Sequence, residues 1–324
     1  MKIIFQIDGG IGKSVAATAV CKAVKAQYPN DKLIVVSAYP PAFLCNPDVD
    51  KALDFNNLSY FYQDHIQGQD FKIMAHNPYL ETAFIEGKTH LIQVWCEMFG
   101  ITYNGELPKV FVNNREQTFF TNQFAAQGLF QSGKPLLLIQ TNGGGKDQPN
   151  KYSWARDMPM GTAQKIVDAF ANDYTIVHIR RDDQLQLKNV IPMQADFRAL
   201  AVLIGLSAKR VFIDSVCQHT AAALGMPSVV LMIDDTTRIR FGYDMHTNII
   251  ANPPTIKPEL RHAVYGPYNI SGIPQEFPYN HEGEIYDAEQ IIEAVRKEDR
   301  QEPIILGEPK EPKNKKKEKP EVVE

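Results

Sequence analysis

The sequence is short of several things. It has no apolar run approaching the roughly 20 residues that span a bilayer. Its opening, Met-Lys-Ile-Ile-Phe-Gln-Ile-Asp, is too short for the apolar region of a secretory signal. Neither a membrane span nor secretion is therefore expected. Cysteine is scarce: Cys21, Cys45, Cys96 and Cys217 are scattered with no metal-like spacing. Free thiols in a reducing cytoplasm are the expectation, and no metal site is. A basic excess is also missing. The 34 Lys and Arg against 38 Asp and Glu leave a net charge of −4, which disfavours a general nucleic-acid binder. What is present, 324 residues of which 44% are apolar and 22% charged, suits two ordinary globular domains.

Strand and helix patterns alternate along both halves. Lys2–Ile7 reads as a buried strand, Asp8–Gly12 as a glycine-rich turn, Lys13–Gln27 as a helix stopped by Tyr28-Pro29, and Leu33–Ser37 as a second strand. From about Asp50 to Gly128 the chain is less regular and rich in aromatic and amide side chains, with one helix expected over Lys88–Phe99. Regular alternation resumes at strand Leu136–Gln140, loop Thr141–Lys151, helix Gly161–Phe170 and strand Tyr174–Ile179. It continues with helix Phe197–Leu206, strand Val211–Ile213, helix Val216–Leu224 and strand Ser228–Ile233. Such alternation means parallel strands with helices on both faces. The division expected is a Rossmann-like domain over residues 1–130, a second over 131–280, a helical extension over 281–306 including helix Asp287–Arg300, and a charged tail over 307–324. That tail has almost nothing to bury and is expected to be disordered.

Asp8-Gly-Gly-Ile-Gly-Lys-Ser14 between a strand and a helix invites comparison with a phosphate-binding P-loop. The pattern needs Gly five residues before Gly12-Lys13, where Ile7 stands, and the Lys of a related variant is replaced by Asp8. A tight turn that lets the helix pack on the sheet accounts for these glycines as well as a phosphate role does.

Three stretches resemble the family 9 glycosyltransferases, the heptosyltransferase-like group. The first is Gly12–Pro29 with strand Leu33–Ser37 and Asn46-Pro-Asp-Val-Asp50. The second is Leu136–Gly145 with Lys151-Tyr-Ser-Trp154. The third runs from Asn189-Val-Ile-Pro192 through Phe197–Ile204 to Val211-Phe-Ile-Asp-Ser-Val-Cys-Gln-His-Thr-Ala-Ala-Ala-Leu-Gly225, and it is the most specific. The resemblance implies a GT-B type α/β fold, two Rossmann-like domains facing across a cleft. It also implies an inverting, metal-independent transfer from a nucleoside-diphosphate sugar, with an ADP-heptose-like donor, to a saccharide or other hydroxyl acceptor. No cofactor is implied, since the nucleotide-sugar is itself a substrate.

The local chemistry agrees with that implication. Asp214-Ser215 stands where a strand gives way to a helix, and the free N–H groups and positive dipole end of that helix suit a diphosphate. Val216 replaces the family's Gly there. His219, one turn on, either faces the donor or is a core histidine. Thr141, Asn142, Gly143 and Gly144 form a second cradle, with Lys146 and Lys151 as cations or as solvated loop residues. Arg180 and Asp182 stand where the family places ribose contacts, although a solvated turn explains them equally.

The acceptor side is expected at the Asp8 turn with Gly9, Gly10 and Gly12. The family's catalytic base is an Asp where this chain has Lys13, so Asp8 is the substitute base and Lys13 a phosphate or anion contact. Two other functions remain open. One is transfer to a modified base in DNA through a basic cleft of Lys13, Arg115, Lys146 and Arg156, so nucleic acid is a possible but disfavoured partner. The other is nucleotide-sugar binding without catalysis.

Overall fold

The computed structural model describes residues 1–144, 152–258, 276–299 and 301. Strand β1 (Lys2–Ile7) turns through Asp8–Gly10 into α1 (Ile11–Gln27), and β2 (Lys32–Ser37) follows. Then come β3 (Lys51–Asp54), α2 (Phe61–His65), β4 (Phe71–Met74), α3 (Thr82–Ile85), α4 (Leu91–Met98) and α5 (Asn114–Ala126). The second half carries β5 (Leu136–Gln140), α6 (Met160–Phe170), β6 (Thr175–Ile179), β7 (Ile191–Met193), α7 (Phe197–Leu206) and β8 (Lys209–Ile213). It ends with α8 (Val216–Leu224), β9 (Val229–Met232), α9 (Asp235–Phe241), β10 (Thr247–Ile250) and α10 (Ala288–Lys297).

These strands make two sheets, ordered β3-β2-β1-β4 and β10-β9-β8-β5-β6-β7, and every pairing among them is parallel. β5 and β8 are buried along their whole length because helices cover both faces of the second sheet. Strand order reverses between β1 and β4 in one sheet and between β5 and β8 in the other. Crevices open at the carboxyl ends of strands at such switch points, so the topology designates two places for ligands.

The stretch expected to be irregular holds more structure than its pattern suggests. β3 has no buried residue and β4 has one, which leaves no apolar run to read. The helix expected from Lys88 begins at Leu91, because the His90 ring caps it by accepting from the Ile92 N–H at 3.2 Å. α5 is fixed by a reciprocal capping box between Asn113 and Glu116. Gly145, Lys146, Lys151, Arg300 and the charged tail lie outside the described residues.

A single hydrophobic layer joins the two halves. Val20 of α1, Trp95 of α4 and Phe124 of α5 belong to the same buried cluster as Leu200 of α7 and Ala222 of α8. Each large side chain taken from water there contributes about 1.5–3 kcal/mol. A second cluster lies beyond the other face of the second sheet, where Ile166 and Ile291 meet Ile139 and Val211.

Two arginines cross the seam. Arg198 pairs with both carboxylate oxygens of Glu116, at 2.9 and 2.7 Å, and donates to the carbonyls of Pro41 and Phe111 at 3.2 and 2.5 Å. Arg240 donates to the carbonyls of Phe84, at 2.6 Å, and Ile85, and it lies over the Phe84 ring. Among the described residues, no helix is long and apolar enough to cross a membrane.

Candidate functional site

The switch point between β5 and β8 gathers most of the residues expected on the donor side. β5 ends at Gln140, and Thr141 to Gly144 form the loop beyond it. The Thr141 hydroxyl donates to Asn142 Oδ1 at 2.8 Å and lies 2.9 Å from His178 Nε2. Burial pushes the His178 imidazole down to about 4, so the ring is neutral and serves as a post for the loop.

The hub of this loop is Asp157, which is 1% exposed. Its Oδ1 accepts from the Gly143 N–H and Arg156 Nε, both at 3.0 Å. Its Oδ2 accepts from the Ser153 N–H at 2.9 Å and Asn142 Nδ2 at 3.3 Å. A Cβ on Gly143 would fall 2.8 Å from Arg156 Nε and 3.2 Å from Ser215 Oγ. A larger residue here would push the Arg156 guanidinium aside and crowd the Ser215 hydroxyl.

Helix α8 begins at Ser215 without a side-chain cap. The Ser215 hydroxyl instead takes a hydrogen bond from Gln140 Nε2 at 3.3 Å. The first-turn N–H groups of Val216 and Cys217 therefore keep the unpaired character of an open helix end. Asp214, just before it, accepts from Gln218 Nε2 at 2.7 Å. Burial raises its carboxyl to about 6, against the lowering effects of the Gln218 hydrogen bond and the Arg156 charge.

The other switch point, between β1 and β4, is organised around Lys13. Its side chain is 5% exposed. The ammonium pairs with Asp8 Oδ1 and donates to Asn77 Oδ1 at 3.1 Å. It also lies 4.7 Å from the centroid of the Tyr79 ring and 5.4 Å from that of the Trp95 ring. Burial lowers its pKa, and the Asp8 hydrogen bond and charge oppose that shift. Asp8 is the outward member of the pair, 58% exposed. The turn that holds them, Asp8-Gly9-Gly10, is left-handed at Gly9, and Gly10 precedes α1 without a side-chain cap. Ser14 is turned inward onto the Ser37 hydroxyl at 3.1 Å. A P-loop serine would face the phosphate and metal, so this contact does not support that reading of the glycine turn.

The two switch points meet. A Cβ on Gly12 would come within 2.9 Å of His219 Cδ2 and 3.6 Å of Val216 Cα, so the starts of α1 and α8 touch. Gly12, expected beside an acceptor, is packed against the other half. His219 is held by Tyr243, whose hydroxyl lies 2.8 Å from Nδ1, and burial depresses its pKa to about 3. It is a neutral histidine of the seam, held on its Nδ1 side by Tyr243. Its Nε2 stands 3.9 Å from Asp214 Oδ1.

Arg180 does not extend toward this centre, and Asp182 contributes its backbone to the same turn. The Arg180 guanidinium donates to the carbonyls of Asp182, at 2.8 Å, and Gln184, and thereby closes its own turn. Arg181 instead reaches the loop, donating to the Gly144 carbonyl at 2.5 Å. The basic cleft considered for DNA is also not formed by the described members. Lys13 is buried, Arg156 is 10% exposed and paired with Asp157, and Arg115 is exposed on α5. Among the described residues, no three His, Cys, Asp or Glu side chains gather as a metal cluster would.

No family model matches the chain, and no curated protein matches it. Solved structures do. A family 9 glycosyltransferase from Veillonella parvula superposes with TM-score 0.64 at 14% identity, over 91% of this chain and 96% of that one. The Escherichia coli ADP-heptose lipopolysaccharide heptosyltransferase II gives 0.55 at 15% identity, over 77% and 90%. An E. coli heptosyltransferase solved with ADP gives 0.50 at 9% identity, over 78% and 94%. The fold of this chain is thus GT-B-like, shared with these proteins across two parallel sheets.

Proposed function

We propose that this chain moves a sugar from a nucleoside-diphosphate sugar to a hydroxyl acceptor, with inversion and without a metal. The observation that carries the proposal is the donor switch point. There an uncapped helix start, a glycine-tight loop and the Arg156 guanidinium converge, an arrangement suited to receiving a leaving diphosphate. In the reaction, the acceptor oxygen attacks the anomeric carbon and the bond from that carbon to the diphosphate oxygen breaks. The acceptor proton passes to the Asp8 carboxylate, and the new negative charge settles against the α8 N–H groups, beside the Arg156–Asp157 pair. Lys13 holds Asp8 in position from beneath.

An ADP-heptose-like donor fits the neighbours named for that sugar nucleotide and for ADP. A reducing cytoplasm suits four unpaired cysteines. A second reading, sugar-nucleotide binding without turnover, draws on one observation: Lys13 stands where the family's base would be and closes on the carboxylate that must replace it.

A thermal-shift screen over nucleoside diphosphates and their sugars, followed by a transfer assay on the stabilising donor, tests both. Stabilisation without magnesium together with release of free nucleoside diphosphate in the presence of acceptor supports the transferase. Stabilisation with no release under any acceptor supports the binding protein. Stabilisation by ATP with magnesium alone contradicts both.

A further inference from the structure

We infer that Gln140 is a positioning residue that keeps the α8 helix end open by diverting the Ser215 hydroxyl from its own helix. The inference rests on the donor reading above and adds to it a residue that does not itself touch the reacting atoms.

A serine at the N-cap ordinarily turns its oxygen onto an N–H of the first turn, and this is among the most favourable capping arrangements known. Ser215 does not do so. Its backbone is fully extended, at φ −160° and ψ −177°, and its hydroxyl points across the switch point to the end of β5. There it meets the Gln140 amide at 3.3 Å, in space left free because Gly143 has no side chain. Whichever way the amide is turned, it hydrogen-bonds this hydroxyl, since a serine both donates and accepts.

Gln140 has no evident structural reason to be an amide. It is 5% exposed, and its Oε1 is buried without a partner. An unpaired buried carbonyl is costly, and an aliphatic side chain would fill the same space without that cost. The amide is explained if its value lies in what it does to Ser215. A cap and a diphosphate compete for the same N–H groups, so removing the cap raises affinity for the anion at the expense of the free protein.

The test uses the full chain and compares Gln140→Leu, Ser215→Ala and the double variant. Two measurements are made on each: the melting temperature without ligand, and the affinity for ADP, GDP, UDP and CDP by calorimetric titration. In Gln140→Leu the freed hydroxyl caps α8. The melting temperature is then unchanged or higher, while affinity for the diphosphate that the wild type binds falls about five- to tenfold. In the Ser215→Ala background there is no hydroxyl to release, so Gln140→Leu changes affinity by less than twofold.

A merely structural Gln140 gives the opposite pattern, a lower melting temperature with affinity intact in the folded fraction, and that result overturns the inference. An equal loss of affinity in both backgrounds also overturns it, because Gln140 would then be acting on the ligand directly. If the wild type binds none of the four diphosphates, the donor reading itself fails and the inference falls with it.

Discussion

The two switch points are built alike and finished differently. Each lies at the carboxyl ends of parallel strands, and each faces a helix that starts without a side-chain cap. On the proposed donor side the charges of Arg156 and Asp157 answer each other, but α8 is uncapped and Gln140 Oε1 has no partner. On the proposed acceptor side the principal charge is already answered. Lys13 has a carboxylate, an amide oxygen and two aromatic faces around it. A site with unanswered groups is prepared for a ligand, while a site that has satisfied itself must give up a contact to admit one. Under the proposed function, the diphosphate meets open groups with little rearrangement, and the step that limits turnover is expected on the Asp8 side.

The largest expected effect separates the halves directly. Asp8→Asn removes the proposed base from an exposed position, so turnover falls by about 10²- to 10⁴-fold. Affinity for the nucleoside diphosphate stays within about twofold, and paired steady-state kinetics and titration check both. Full activity in Asp8→Asn removes this carboxylate from the mechanism.

The seam that couples the halves comes next. Arg198→Ala leaves Glu116 without its bidentate partner and frees the Pro41 and Phe111 carbonyls. The 9% and 24% exposure of the two side chains tempers the loss to about 2–3 kcal/mol, measured by urea unfolding. Glu116→Gln in that background recovers part of it, because the orphaned charge is then gone.

A smaller effect is expected where α1 touches α8. Alanine at Gly12 gains about 1 kcal/mol of helix propensity, but its Cβ would sit 2.9 Å from a His219 ring that Tyr243 holds in place. Overpacking of this kind costs about 1–3 kcal/mol, so Gly12→Ala is destabilising by roughly 1 kcal/mol in a thermal melt. Gly12→Ala combined with a smaller residue at His219 separates the clash from any effect on the acceptor side.

Acid acts on the same seam more gradually. The rings of His90, His219 and His246 surround Tyr243. Burial depresses them to about 4, about 3 and about 4, and buried His178 to about 4, from an ordinary 6.5. Below pH 6.5 the unfolded chain takes up protons that the folded rings refuse, so stability present above 6.5 is lost as the pH falls toward 4. Asp214 and Glu298, both raised to about 6, work in the other sense, since their folded carboxyls keep protons that the unfolded chain releases. Four imidazoles outweigh two carboxyls, and the melting temperature is expected to drop by several degrees between pH 7 and 4.5.

The half proposed to hold the donor was the more legible in sequence. β5 and β8 are buried throughout, and Asp214-Ser215 marks the change from strand to helix within a few residues. Arg156 and Asp157 carry no local period and only acquire meaning when Gly143 and Ser215 are brought to them, so their place in the site could not be read. The same holds for Lys13, whose burial depends on Asn77, Tyr79 and Trp95 arriving from far along the chain. β3 and β4 are too short and too exposed to show a pattern. For α5 a signal was present, since Asn113 with Glu116 three residues later is the signature of a capped helix. His219 shows the limit of a short motif. Its spacing suits a phosphate ligand, and its surroundings make it a neutral partner of Tyr243.

The most direct measurement is calorimetric titration of the nucleoside diphosphate into wild type and Ser215→Asp, without magnesium. An aspartate at this position caps α8 and places a negative charge where the diphosphate is proposed to rest. If the diphosphate sits on the open end of α8, affinity falls at least a hundredfold, roughly 2.7 kcal/mol, while the melting temperature without ligand is kept or raised. Equal affinity in the two proteins would contradict that placement.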